Sequence, residues 1–239
     1  MTIGIMSAMM EEVSSLLRHI KNPDIETIGK REYIKGKLYD RDVVLVFSRW
    51  GKVASSSTTT TLIDKFGVSE IIFTGVAGSI SESLSIGDIV IGEKLYQHDM
   101  DARPIFKKLE VPLLNKTYFK TDDLVTKKLL IAAESFITEE NFIIKPTSQI
   151  GNIGTGDRFV NSIELANEIA SIDNLIVVEM EGAAVAQVCY EHNIPFGVVR
   201  IVSDNSNSDA HIDFQEFIIS TACVYTFGIL TKYLRDNIK

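Results

Sequence analysis

Cysteine is almost missing from this chain. Cys189 and Cys223 are the only two in 239 residues, too few for a disulfide framework. Both fall inside apolar helical patterns, so buried, reduced thiols are expected. A basic excess is missing too. Twenty-four Lys and Arg against 32 Asp and Glu give a formal net charge of −8, and no basic face shows along the chain. That argues against nucleic acid or an anionic membrane surface as partner. No apolar run approaches the ~18 residues needed to cross a bilayer. The opening stretch MTIGIMSAMMEE has no basic region and runs into two acids, unlike a secretory signal. A soluble, cytoplasmic protein is expected.

Histidine is scarce and scattered. His98-Asp-Met-Asp101 is the only ligand-like cluster, and without a second His or Cys at ligand spacing it reads as a polar loop, not a metal site. No nucleophile-elbow motif supports a Ser-His-Asp or Cys-His triad. Gly75 and Gly78 are not followed by Lys-Ser or Lys-Thr, so they form no phosphate loop, and the GxG at 154–156 opens no dinucleotide unit. Internal repeats, low-complexity tracts and linkers are absent. With 45% hydrophobic residues a substantial core is available, and one α/β domain over 1–239 is expected.

What is present is organised around residues 175–204. LIVV is a short apolar run ending at Glu179-Met180-Glu181. GAAVAQVCYEH carries small and apolar residues at helical spacing, and FGVVRIV is a second apolar run ending at Ser203-Asp204. Val and Ile runs joined by such a helix predict a βαβ unit in a parallel sheet buried on both faces. Ligands of open α/β sheets bind outside the carboxyl ends of strands. Glu181 and Asp204 are predicted there, side by side, where polar residues suit a site better than a core.

Elsewhere, TIGIMS (2–7) reads as a buried strand followed by a helix opened by Glu11 and Glu12, whose carboxylates suit the helix dipole. Residues 31–49 alternate as a hairpin turning at Asp40-Arg41-Asp42. Gly51 to Phe66 is a helix of poor intrinsic propensity that packing must hold. EIIFTGVAGS (70–79) predicts a strand ending in a glycine-rich turn, and 86–101 continues extended. Residues 102–120 are the least patterned. Asp122 and Asp123 cap a helix to about Ile137, and Lys145 to Gly156 leads into a second glycine turn. Asn161 to Glu164 and Asp213 to Glu216 resemble capping boxes, the second opening a final helix to about Asp236.

Three carboxylates therefore stand at predicted strand ends: Glu12, Glu181 and Asp204. Arg200 lies inside an apolar strand, where a guanidinium needs a partner to be buried. It reads either as half of a structural ion pair with one Glu or as part of a site. Several carboxylates with one Arg suit a reaction whose transition state is cationic, as in glycosyl cleavage.

AMMEEV (8–13), GKVAS (51–55), FTGVAGS (73–79), TGDRFV (155–160), VVEMEGAAVAQVC (177–189) and VVRIVSDN (198–205) together resemble the bacterial 5′-methylthioadenosine/S-adenosylhomocysteine nucleosidases of the nucleoside phosphorylase superfamily. The resemblance implies a three-layer α/β/α sandwich around a mixed, partly barrel-like sheet. It implies a homodimer whose site is completed by the 102–113 region of the partner subunit, and neither cofactor nor metal. By matching position, Glu12 would activate water and Asp204, backed by Ser203, would protonate N7 of adenine. Glu181, with Met180, would bind the ribose hydroxyls. Phe159 would pack on adenine and the Val160 backbone would bind its edge, while Arg200 would sit near the water and Glu12. Met9, Val76, Ala77, Gly78 and Phe214 complete the implied substrate-binding set. The reaction expected is hydrolysis of methylthioadenosine, S-adenosylhomocysteine and 5′-deoxyadenosine to adenine. A phosphate-dependent phosphorylase and a futalosine hydrolase are the alternatives on the same fold; a non-catalytic nucleoside binder is the alternative from another class.

Three departures from the family pattern stand out. Val76 replaces a usual serine, Trp50 a usual isoleucine, and Arg49 a usual glycine. The implied place of Trp50 is the 5′-alkylthio pocket, which an indole would narrow, favouring methylthioadenosine over the larger homocysteine adduct. Arg49 would act the other way by pairing with the homocysteine carboxylate.

Overall fold

The computed structural model describes residues 1–207 and 221–235. All ten strands among them belong to one mixed sheet. β5 (Glu70–Ser79) is its hinge, and every residue of it is buried, as expected of a strand covered on both faces. On one side it pairs parallel with β1 (Thr2–Ser7), which continues to β4 (Arg41–Phe47), β3 (Arg31–Leu38) and β2 (Lys21–Ile28) as an open wing. On the other side β5 closes a five-strand barrel with β9 (Leu175–Glu179), β8 (Ser148–Thr155), β6 (Ile89–Gln97) and β10 (Phe196–Asp204). A two-residue strand, β7 (Phe119–Lys120), pairs with β6.

Helices cover both faces, giving the three layers expected. One apolar cluster joins the sheet to α1 (Met10–Leu17), α3 (Asp123–Glu139) and α6 (Cys223–Arg235) through residues such as Leu16, Leu129, Phe136 and Ile229. The other joins it to α2 (Lys52–Asp64) and α5 (Gly182–His192) through Leu62, Ala183, Ala186 and Cys189. The Ser/Thr run of α2 folds because its hydroxyls turn inward on the helix itself. Thr58, Thr59, Thr60 and Thr61 each donate to the carbonyl four residues back, at 2.8–3.0 Å, and the buried face packs on α5. A short helix, α4 (Ile163–Ala170), is capped by Ser162, which accepts from the Leu165 N–H, so the cap lies one residue beyond Asn161.

Several expectations are corrected. β9 and β10 do not form a parallel βαβ pair: β5 runs between them, antiparallel to β9 and parallel to β10. The chain needs the helix because it crosses the barrel, not because it joins neighbours. Gly75 and Gly78 stay within β5, and Gly151 and Gly154 within β8, instead of ending these strands in turns; only Gly156 lies past a strand end, before a bend at 157–158. The use of the β5 glycines is close approach. A Cβ on Gly75 would stand 3.2 Å from the Arg200 guanidinium, and one on Gly78 2.7 Å from Asp204 Oδ1 and 2.2 Å from Ser206 Oγ. Cys189 is buried as expected, but Cys223 is only half-buried. β2 is a strand that periodicity did not reveal, since most of its residues are exposed. The capping box at Asp213 to Glu216 lies outside the described residues.

Candidate active site

Barrel closure brings the carboxyl ends of β9 and β10 against the same stretch of β5. Gly78 faces Val178 on one side and Asp204 on the other. Beside this junction a cleft opens, walled by Ala8 and Met9 after β1, Trp50 after β4 and Val76 in β5. Arg158 to Val160 follow β8, and Val178 to Glu181 end β9 and enter α5. Of the residues singled out from the sequence, Met9, Trp50, Val76, Phe159, Val160, Met180 and Glu181 thus share one wall. Glu12, Ala77, Gly78, Arg200, Ser203 and Asp204 stand behind it, in the buried layer around β5 and β10. Phe214 lies outside the described residues.

Glu12 is fully buried. Its Oε1 accepts from Thr226 Oγ1 at 2.6 Å, and its Oε2 accepts from the hydroxyls of Ser7 and, at 3.3 Å, Thr74. Burial raises its pKa above the ordinary carboxyl range, and the hydroxyl bonds and the charge of Arg200 only partly oppose this. A carboxyl so held is suited to taking up a proton.

Glu181 is 4% exposed and opens α5. Its Oε1 accepts from the Gly51 N–H at 2.8 Å. Burial, and then the neighbouring charge of Glu179, push its pKa up to about 7. Asp204 ends β10 with Oδ2 accepting from Ser203 Oγ at 2.8 Å and Oδ1 from the Ser206 N–H at 2.9 Å. Ser203 Oγ is also within 3.4 Å of the Ala77 carbonyl. Trp50, which lines the cleft, turns its indole N–H to the Ala8 carbonyl, 2.8 Å away. Arg49 beside it donates to the Lys30 carbonyl at 2.5 Å.

Arg200 is half of a buried ion pair with a Glu, as one of its two readings had it, and the partner, which sequence reasoning did not name, is Glu179. Arg200 Nη2 lies 2.5 Å from Glu179 Oε2, with both side chains buried, and its guanidinium carbon sits 4.2 Å over the Phe73 ring. It acts on Glu12 through charge alone. Glu179 also accepts from the Thr155 hydroxyl, from the Glu181 N–H at 3.1 Å and from the Gly182 N–H at 2.7 Å. A carboxylate there suits the positive end of α5. The signal was available: Arg200 demanded a buried acid, and Glu179 is the last residue of the strand before Glu181. Among the described residues no group of three or more His, Cys, Asp or Glu is placed to hold a metal ion, and no helix is long and apolar enough to cross a membrane.

A family model described as the phosphorylase superfamily matches residues 2–235, which defines the class. Among curated relatives, the 5′-methylthioadenosine/S-adenosylhomocysteine nucleosidase of Shewanella frigidimarina is 38% identical over 220 residues, 92% of this chain and 93% of its own. That of Staphylococcus haemolyticus is 37% identical over 218 residues, 90% and 92% of the two chains. The chain belongs to the 5′-methylthioadenosine/S-adenosylhomocysteine nucleosidase family of this superfamily. Among solved structures, the nucleosidase of Neisseria meningitidis in complex with methylthio-immucillin-A superposes with a TM-score of 0.90 at 31% identity, covering 98% of each chain. The futalosine hydrolase of Helicobacter pylori gives 0.86 at 30% identity over 97% of this chain and 96% of that one.

Proposed function

We propose that the protein hydrolyses the N-glycosidic bond of 5′-methylthioadenosine and S-adenosylhomocysteine, and of 5′-deoxyadenosine, releasing adenine. The observation that carries this reading is the set of three buried carboxyl groups, Glu12, Glu181 and Asp204, of which Glu181 lines a largely apolar cleft and the other two stand in the layer behind it. Adenine is a poor leaving group as an anion. Asp204 donates a proton to N7, so the base departs neutral as the C1′–N9 bond breaks. Glu12 takes a proton from water, whose oxygen bonds to C1′ of the ribosyl cation. The negative ends of the site stabilise that cation as it forms. Glu181 holds the ribose hydroxyls, Met180 lies beside it, and Phe159 and Val160 bound the base. Glu12 then releases its proton to solvent and Asp204 regains one, so both return to their starting state.

Hydrolysis is preferred to phosphorolysis because the motif FTGVAGS (73–79) carries no arginine, and the buried Arg200 is engaged by Glu179. We further take the chain as one cytoplasmic domain that works as a homodimer, with the 102–113 region of the partner subunit completing the site. Adenine release from methylthioadenosine with and without inorganic phosphate tests the reaction: equal rates are expected, and strict phosphate dependence would make the protein a phosphorylase. The likeness to a futalosine hydrolase makes futalosine the competing substrate to include. Faster cleavage of futalosine than of either thioether nucleoside would reassign the substrate.

A further inference from the structure

Lys52, Asp99 and Asp157 lie outside the carboxylate cluster, and none touches the reacting atoms in the mechanism above. They form a closed ring. The Lys52 ammonium lies 2.6 Å from Asp99 Oδ1, the Asp157 N–H donates to Asp99 Oδ2 at 3.0 Å, and the Lys52 N–H donates to Asp157 Oδ1 at 2.8 Å. Lys52 Nζ also reaches Gln97 Oε1 at 3.3 Å, near the end of β6. The ammonium is largely shielded, its side chain 19% exposed.

Each member belongs to a different segment, and two of those segments are walls of the cleft. The segment of Lys52 carries Trp50 and Gly51, and Gly51 gives its N–H to Glu181. Gly51 has φ +91°, in the region that glycine adopts without penalty. A Cβ there would stand 3.0 Å from Asp157 Oδ1, so a side chain at 51 would crowd the ring. The segment of Asp157 carries Arg158, Phe159 and Val160. Gly156 is tied to the Glu179 carbonyl and Asp157 to Asp99. The ring fixes Asp157, and with it the start of this wall, to the residues that grip Glu181.

We infer that Lys52 and Asp99 are positioning residues, clamping the 157–160 wall against the 50–52 segment so that base and ribose are held in register. This rests on the reading of the cleft as an adenine nucleoside site. It assigns the clamp to ground-state binding more than to bond cleavage, since Glu12 and Asp204 lie outside the ring.

The test compares Lys52→Met, Lys52→Arg and Asp99→Asn in the full-length protein, measuring adenine affinity by calorimetry and kcat and KM for methylthioadenosine. Lys52→Met and Asp99→Asn are expected to weaken adenine binding and raise KM about tenfold, within the ~10²-fold that misplacing a substrate can cost, with kcat changing less. Lys52→Arg keeps charge and reach and should restore most of the loss. The double variant should be no worse than Lys52→Met alone, because both singles break one link. Unchanged adenine affinity in a folded Asp99→Asn protein would overturn the clamp, as would equal losses in kcat and KM terms that Lys52→Arg does not restore. If Lys52→Met does not fold, Asp99→Asn decides. Adenine affinity is read without turnover, so a wild-type protein that binds adenine but does not cleave the nucleoside would refute the hydrolase reading and leave the clamp to its own measurement.

Discussion

Replacing Arg200 with methionine is the sharpest test of how the site is built. The guanidinium is fully buried, with Glu179 as its one carboxylate contact at 2.5 Å. Removing one partner of a buried ion pair leaves the other charge uncompensated, which typically costs about 3–5 kcal/mol. Glu179 would keep the Thr155 hydroxyl and the N–H groups of Glu181 and Gly182, which places the loss toward the lower end. Arg200 also sits over Phe73. A desolvated cation–π contact contributes about 2 kcal/mol, of which a methionine sulfur would restore about 0.3–1.5 kcal/mol. The expected net destabilisation is about 4 kcal/mol, or roughly 8–16 °C in Tm for a chain of this size.

Urea and thermal unfolding of Arg200→Met, Glu179→Gln and the double variant form a complete cycle. A neutral pair of similar volume is often tolerated where a lone charge is not, so the double variant should be more stable than Arg200→Met, with a coupling of about 2 kcal/mol or more. Arg200 also lowers the pKa values of Glu12 and Glu181, so its loss should move both titrations upward. An Arg200→Met protein within about 1 kcal/mol of wild type, or one whose loss simply adds to that of Glu179→Gln, would show that this pair does not hold the site.

Asp204→Asn should fold normally and lower kcat roughly 10²–10⁴-fold, the usual weight of a general acid; near-normal turnover would remove it from that role. Glu12→Gln should abolish adenine release while keeping tight adenine binding by calorimetry, and a parallel loss of affinity would make it a binding residue. Glu181 titrates near 7 in the native state against an ordinary 4.5. The native state therefore binds more protons than the unfolded state between those values, and stability falls as pH rises through that window. Glu181→Gln should remove that fall when unfolding is followed from pH 4.5 to 8, and an unchanged profile would exclude Glu181 as its source. Trp50→Ile should raise kcat/KM for S-adenosylhomocysteine relative to methylthioadenosine, and unchanged relative values would make the indole a structural group.

The strands were legible where burial is two-sided. EIIFTGVAGS and FGVVRIVSD are buried at every position, and such runs announce themselves as apolar stretches. β2 was not legible because most of its residues are exposed and its pairing with β3 comes from the hairpin, not from a hydrophobic face. Barrel closure came through the family resemblance alone and could not be read from periodicity, for a different reason. A strand–helix–strand segment looks the same whether its strands are neighbours or flank a third, and only the pairings of Gly78 with Val178 and Asp204 separate the cases. The glycines of β5 misled for a related reason. Their value lies in what approaches them, Arg200 at Gly75 and Asp204 at Gly78, and a close approach leaves no trace in local periodicity.

The same geometry explains which half of the site could be read from the sequence. Glu12, Glu181 and Asp204 end or follow strands, so a polar residue interrupting an apolar run marks each of them. Glu179 interrupts the LIVV run just as plainly, but Glu181 two residues later drew the functional reading instead. The place of Glu179 is set by Arg200, twenty-one residues later. A buried charge in a strand is thus an instruction to look for its counter-charge at another strand end, and here there were only a few candidates. Lys52 and Asp99 are harder still. Both are polar residues at the ends of elements, where solvation explains them well enough. Their ring with Asp157 exists only because the barrel brings the end of β6, the loop after β8 and the start of α2 to one corner. Chemistry that sits on a strand end is written locally, whereas the contacts that hold it in register are made by the closure of the sheet.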